Sequence, residues 1–230
     1  MTVPKIRRKG ISMNLNIIAK IVSDEMAHKR SRKWNEIGDK YFHGQRVAKL
    51  AVRLRELIFP QLTDKDDILT VAAWFHDICN GHPKFHKIHG KKGAELVREL
   101  LANHCTAAEL DEICAIIAAH DDRITESDSL SLKLQQDADH LDHFGADEIL
   151  EECSYTAVHE LSRIATITEL QRRIEDKGEI WRNQLHFKLS RRIFDEKHAF
   201  VGAFIERYMV EIAGEIRDEA RLLSEWDGTV

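Results

Sequence analysis

His43, the adjacent pair His76-Asp77, His120 and Asp139 are the residues of this chain whose types and positions point to chemistry. Each falls at or near the end of a stretch whose remaining residues are apolar. The segment VAAWFHDICN (71–80) puts an imidazole and a carboxylate where the pattern says core. An ionised Asp or a wet imidazole is costly to bury unless paired. A divalent cation held by two carboxylates and two neutral imidazoles would satisfy such groups, because the carboxylates neutralise the ion and the ion offsets their desolvation. Singly, each residue has an ordinary explanation. A lone His on an apolar face is usually a hydrogen-bonded core residue, and an Asp in an acidic stretch is usually solvated. Their joint occurrence, in this order, is what points to a metal.

The elements that must position these residues read as helices. Leu15, Ile18, Ala19 and Val22 recur at helical spacing between Asn14 and about Met26. A second helix is predicted from about Tyr41 to Ile58, with the stripe Val47, Leu50, Leu54, Leu57 and Ile58, His43 on that stripe, and Pro60 as its stop. Thr63-Asp64 reads as the N-cap of a third helix running to about Cys79. Ile68, Leu69, Val71 to Phe75 and Ile78 leave that helix almost no polar face, which predicts a central position. Asn80-Gly81 and Pro83 close it, and a histidine-rich loop with His82, His86 and His89 follows. Gly90 and Gly93 mark the start of a helix reaching about Asn103. Thr106 caps another, on which Ile113, Ile116, Ile117 and His120 share a face. After a polar stretch from Asp121 to Ser129, Leu130, Leu134, Ala138 and Leu141 describe a helix that carries Asp137, Asp139 and Asp142. Beyond Gly145 the chain stays helical, with a last run from about Ile193 to Leu223. No strand pattern, internal repeat or low-complexity segment is visible, so the fold class is all-α.

Composition agrees. The chain has 230 residues, 43% hydrophobic and 32% charged, with 3 prolines and 11 glycines. This is the balance of a folded protein with few helix breakers. A net charge of -5 gives no general pull toward nucleic acid or anionic membrane. The basic stretches Lys5 to Lys9 and His28 to Lys33 read as a solvated tail and a solvated helix face. The 4 cysteines (Cys79, Cys105, Cys114 and Cys153) form no CxxC pair, which argues against a thiol zinc site or a disulfide framework. With no signal peptide and no apolar run of about 20 residues, the expectation is a cytoplasmic protein with no membrane span. Of 13 histidines, only their placement is informative.

The order His, His-Asp, Asp resembles the signature of the HD-domain superfamily of metal-dependent phosphohydrolases. The resemblance is carried by YFHGQRVAKLA (41–51), AAWFHDICN (72–80), HGKKGAELV (89–97), IIAAHDD (116–122) and QQDADHLDHFG (135–145). It continues more weakly into 186–208. The chain looks like the small single-domain branch that includes nucleoside triphosphate pyrophosphohydrolases. The implied division is a basic tail (1–12), an HD domain (13–145) and C-terminal helices packed on the same core (146–230). Carried over by position, the metal ligands fall on His43, His76, Asp77 and Asp139. Asp137 is the competing last ligand, and Asp139 is favoured because the family's Asp-x-x-Asp pattern matches Asp139 to Asp142. His89 and His120 match positions that hold a second metal in binuclear relatives. His82 and His86 read as bystanders.

The implied cofactor is one ion, or two, of Mn, Fe, Co, Ni or Zn, which suit mixed imidazole and carboxylate ligands. His89 or His120 would serve as general acid or base. Arg46 would grip a substrate phosphate, or form a structural ion pair with one of the carboxylates. Lys188, with Arg191 and Arg192, forms a basic cluster that reads first as a solvated face and second as a phosphate contact, and Asp142 borders the substrate side. The expected substrate is a small phosphorylated molecule, a nucleotide above all, with no stable nucleic-acid partner. A nucleoside triphosphate pyrophosphohydrolase leads. The alternatives are a cyclic nucleotide or dinucleotide phosphodiesterase with two metals, a di-iron oxygenase, and a nucleotide-binding module without turnover.

Overall fold

A chain this poor in helix breakers should fold as helices packed on helices, and its computed structural model does. The structure describes residues 13–228 except 32, 83, 86, 124–126, 128 and 227. The tail with Lys5 to Lys9, and His86, lie outside the described residues. Among the described residues ten α-helices run in the order α1 (Leu15–Met26), α2 (Asp39–Ile58), α3 (Asp66–Phe75), α4 (His89–Leu100), α5 (Ala107–Ala119), α6 (Leu130–Asp142), α7 (Ala146–Val158), α8 (Arg163–Asn183), α9 (Lys188–Ile212) and α10 (Glu219–Glu225). Among the described residues there is no β-strand, only an isolated bridge between Arg30 and Ile37. No helix among the described residues is long and apolar enough to cross a membrane.

Capping chemistry sets several starts. Asn14 accepts from the amides of Asn16 and Ile17 at the head of α1, and Ser129 accepts from Leu132 at the head of α6. Thr106 and Glu109 form a reciprocal capping box on α5.

Four expectations are corrected. Thr63 does not cap α3: Thr63–Lys65 form a 3-10 turn, and α3 begins at Asp66. It also ends at Phe75 instead of Cys79, because the chain breaks into successive tight turns at His76 to Gly81. Of the His28 to Lys33 stretch, His28 to Arg30 and Lys33 are exposed and follow α1 in a loop instead of lying on a helix face. The run from Ile193 to Leu223 is broken: α9 stops at Ile212, Gly214 takes a φ of 74°, and α10 starts at Glu219.

The all-round apolar surface of α3 does place it centrally. One face (Ile68, Val71, Ala72, Phe75) joins a core with α1, α4 and α5. The other (Leu69, Ala73) joins a core with Val47, Ala51 and Leu54 of α2 and Leu134, Ala138 and Leu141 of α6, which Phe194 of α9 also enters. A third apolar cluster lies between α7, α8 and α9, around Ile149, Leu170 and Val201.

Two glycines govern how closely the site-bearing helices meet. A Cβ on Gly44 would lie 2.9 Å from the Ala73 carbonyl oxygen and 3.1 Å from that of Trp74. One on Gly90 would lie 2.7 Å from the Ile117 oxygen. Each glycine directly follows a histidine of interest, so backbone contact brings His43 and His89 to their partners. Gly44→Ala should therefore push α2 off α3 and cost about 1–3 kcal/mol of stability. Chemical denaturation would measure this, and a variant within about 0.5 kcal/mol of the parent would show that the close approach is not needed.

Candidate metal centre and adjoining cleft

Two histidines occupy the same structural position. His76 is the C-cap residue of α3 and His120 that of α5. Each ring turns back so that Nδ1 donates to the carbonyl three residues earlier, Ala73 for His76 and Ile117 for His120, both at 2.8 Å. A carbonyl can only accept, so Nδ1 carries the hydrogen and, in the neutral ring, Nε2 presents a lone pair. His43, on the first turns of α2, reaches the same state by another route. Its Nδ1 donates to Asp142 Oδ2 at 2.8 Å.

The freed Nε2 atoms converge. His43 Nε2 lies 3.2 Å from His76 Nε2 and 3.1 Å from Asp139 Oδ1. His76 Nε2 lies 3.5 Å from the same Asp139 oxygen and 3.8 Å from Asp77 Oδ2. A second convergence adjoins the first: His89 Nε2 lies 3.2 Å from His120 Nε2, and both lie near Asp77 Oδ1, at 3.5 and 3.6 Å. Asp77 thus turns one oxygen to each group. His43, His76, Asp77 and Asp139 are all at least nine-tenths buried. Two nitrogen lone pairs at this separation repel unless a positive centre lies between them. The donor sets His43, His76 and Asp77, and Asp77, His89 and His120, are each close enough to hold a metal ion, and so is the set His43, Asp139 and His143.

The electrostatics agree. Burial would push the His43 imidazolium down, but hydrogen bonds to Asp139 and Asp142 outweigh it and raise the ring to about 9. Burial likewise opposes His120, and Asp77 raises it to about 9. Burial wins at His76, which is shifted down. Asp77 and Asp139 resist burial and lie well below the usual carboxylate range, Asp77 through His76 and Lys40 and Asp139 through His43 and His76. The carboxylates are ionised, and each group of rings competes for a cation.

The structure separates the two candidate aspartates. Asp139 faces the imidazoles, and its Oδ2 accepts from Arg123 at 3.2 Å. Asp137, two residues away on α6, faces the opposite side. It accepts the amides of His186 and Phe187 at 2.8 and 3.1 Å, anchoring the head of α9. Asp142 holds His43 and takes a hydrogen bond from Arg46. The Arg46 guanidinium is engaged by Asp142 and Asp147, the ion-pair arrangement of the two weighed for it. Lys188 is exposed on the first turn of α9, away from this cluster, and Arg191 is turned to the Leu185 carbonyl.

A cleft of about 1340 Å³ adjoins the cluster. Lys40 and His143 stand at the junction, with Trp34, Tyr155 and Trp181 farther along its walls. Sequence reasoning passed over three residues here. Lys40 Nζ lies 3.2 Å from Asp77 Oδ2, Arg123 bonds to Asp139, and the His143 ring stacks on His43 at 4.7 Å. His143 had a signal, since it follows Asp139 by four residues on the same helix face. Lys40 had a weaker one, three residues before His43. Arg123 had none, because a loop places it.

Comparisons with known proteins fit this geometry. Residues 41–143 match the family model described as HD domain. No curated protein matches the chain. Among solved structures, an HD-superfamily hydrolase from Bacillus thuringiensis is 22% identical with a TM-score of 0.62, covering 87% of this chain and 97% of that one. A predicted HD superfamily hydrolase from an uncultured Thermotogales bacterium is 22% identical with a TM-score of 0.60, covering 86% and 93%. YpgQ of Bacillus subtilis, in complex with ADP, is 20% identical with a TM-score of 0.59, covering 87% and 99%. At these identities the likeness is one of fold.

Two predictions follow from the site. Asp137→Ala should cost about 1–2 kcal/mol by freeing the head of α9, yet leave Mn²⁺ binding unchanged, whereas Asp139→Ala should abolish Mn²⁺ binding; calorimetric titration that gives the reverse would exchange the two assignments. The second concerns Glu148 in the cleft wall, which is buried with Arg173 Nη1 at 3.7 Å. Burial pushes its carboxyl up to about 7 against the pull of Arg173. Between the ordinary value near 4.5 and about 7, the folded protein holds a proton that the unfolded chain has released. Stability should therefore fall as pH rises through that window and level off above it. Glu148→Gln should flatten this slope, by up to about 3 kcal/mol between pH 5 and 7.5. Unfolding curves of equal pH dependence in both proteins would contradict it.

Proposed function

Taking as its premise that this chain is an HD-domain protein, with the domain matched over residues 41–143, we propose that it is a divalent-metal-dependent hydrolase of phosphate esters or anhydrides. The observation that carries the reading is the pair of Nε2 atoms, His43 and His76, facing each other at 3.2 Å beside the ionised Asp77 and Asp139. In this reading His43, His76, Asp77 and Asp139 hold the metal. A transition ion in such a set lowers the pKa of bound water toward neutrality and polarises a phosphoryl oxygen. The chain's own residues do the rest. Asp142 and Arg46 keep the His43 ring aligned, and Arg123 keeps Asp139 turned inward. His89 and His120, next to Asp77 and partly open to solvent through His89, would hold or move a proton at Nε2.

The finer proposal is a nucleotide substrate, with a nucleoside triphosphate pyrophosphohydrolase as the specific form. Its support is the ADP bound by the fold relative YpgQ, together with a cleft whose walls carry Trp34 and Trp181. Lys33 and Lys177 each lie 5.8 Å from one of those rings. Flat faces beside cations suit a base and a phosphate chain. One observation favours a second reading. Asp77 turns a separate oxygen to each group of rings, which suits two ions and in-line displacement at a phosphodiester.

A screen of the purified protein against nucleotides and phosphodiesters, with Mn, Fe, Co, Ni and Zn in turn, should find turnover, and separate assays of phosphate and pyrophosphate should identify the bond cut. No turnover with any metal, despite nucleotide binding, would sink the hydrolase reading. His76→Ala and Asp77→Ala should each lose bound metal and activity together, by at least about 100-fold, with helical circular dichroism kept. Undiminished metal stoichiometry in both variants would contradict the ligand assignment.

A further inference from the structure

We propose that Lys40 is a substrate contact: its ammonium leaves Asp77 and grips a phosphoryl oxygen when substrate enters the cleft. The inference rests on the phosphohydrolase reading and adds the residue that meets the substrate's charge.

Three basic side chains touch the carboxylates around the cluster. Two of them are tied down. Arg46 spans Asp142 and Asp147, and Arg123 spans Asp139 and the Gln136 carbonyl. Lys40 makes one ion pair among the described residues, to Asp77 Oδ2 at 3.2 Å. An ammonium carries three donors, so two remain for a ligand. Of the three, Lys40 alone lines the cleft. It sits one turn before His43 on α2, so its side chain and that imidazole share a helix face. Its side chain is 28% exposed, against 5% for Asp77. The ammonium therefore stands between the buried carboxylate and the open space.

Charge explains the exchange of partners. A divalent ion beside Asp77 takes up the field that holds Lys40 in place and repels the ammonium. A phosphorylated substrate drawn to the same ion brings negative oxygens within the short reach Lys40 already spans. One flexible, hydrated point charge is suited to this change of partner, and a guanidinium locked by two carboxylates is not.

The test uses Lys40→Met, which keeps the stem and removes the charge, and Lys40→Arg, which keeps the charge. Calorimetry would measure Mn²⁺ binding, then binding of inorganic pyrophosphate to the Mn²⁺-loaded protein; hydrolysis would give KM and kcat. Lys40→Met should load Mn²⁺ with equal or higher affinity, because Asp77 loses a competitor. Pyrophosphate should bind it about 10- to 100-fold more weakly, and Lys40→Arg should recover part of the loss. Lys40→Met that loads Mn²⁺ and binds pyrophosphate as the parent does would overturn the proposal and leave the phosphohydrolase reading standing. A Lys40→Met variant that unfolds or fails to load Mn²⁺ would also overturn it, by assigning Lys40 to the support of Asp77. If the Mn²⁺-loaded parent itself binds no pyrophosphate, phosphate or nucleotide, the phosphohydrolase reading falls and the Lys40 assignment falls with it.

Discussion

The structure is organised around imidazole nitrogens that folding leaves facing one another with nothing neutral to share. Backbone carbonyls of α3 and α5 take the Nδ1 hydrogens of His76 and His120, and Asp142 takes that of His43. The ends of two helices, where carbonyls lack intrahelical partners, thereby fix the ring tautomers. Both sides gain: an orphan carbonyl is satisfied, and a lone pair is aimed inward. What remains between the rings is a demand for positive charge, which a proton meets in part. His43 and His120 are both raised to about 9. A single proton bridges at most a pair of acceptors well, whereas here two nitrogens and the oxygens of Asp77 and Asp139 converge. A multivalent cation fits that set better.

Much of this was legible in the sequence because it depends on local chemistry. The start of α5 follows from Thr106 as a cap, and α1 and α6 start where the apolar spacing begins, after Asn14 and Ser129, which the structure shows to be caps as well. The central place of α3 follows from its lack of a polar face. The convergence of His43, His76, Asp77 and Asp139 could be anticipated because polar residues on apolar stripes need partners. The features missed depend on the turn between elements. The early end of α3 at Phe75 was hidden because Ile78 continues the apolar pattern past the true boundary. That early end puts His76 at a helix terminus, where its ring can fold back on Ala73. Helical geometry separates Asp137 from Asp139: two residues along a helix differ by about 200°, so the same QDAD segment sends one carboxylate to the rings and the other to the head of α9. The C-terminal break at Gly214 escaped notice because Ile212, Ile216 and Ala220 keep helical spacing across it, although a φ of 74° there ends α9.

Positive and negative groups around the cluster divide by how many partners they hold. Arg46 and Arg123, each with two protein acceptors, act as struts for Asp142 and Asp139. The rings those carboxylates orient cannot turn without breaking a charged hydrogen bond, and such bonds are about twice as strong as neutral ones. Lys40 differs because it has a single ion-pair partner among the described residues and a solvent-facing side. Two doubly held cations therefore brace the carboxylates of the cluster, and one singly held cation lines the cleft beside it.

The same division accounts for the contrast between the two ends of the cleft. At the cluster, the charges are fixed by helices whose backbones touch at Gly44 and Gly90, so the geometry is set to within a side-chain rotamer. Farther out, α7 and α8 contribute much of the wall and share an apolar cluster with α9, although Trp181 of α8 also packs on the core that holds Leu69 and Ala73 of α3. α7 also reaches the cluster, since its Asp147 accepts from Arg46 at 2.8 Å. The two ends of the cleft thus lean mainly on different apolar cores, with Asp147 and Trp181 as the links between them.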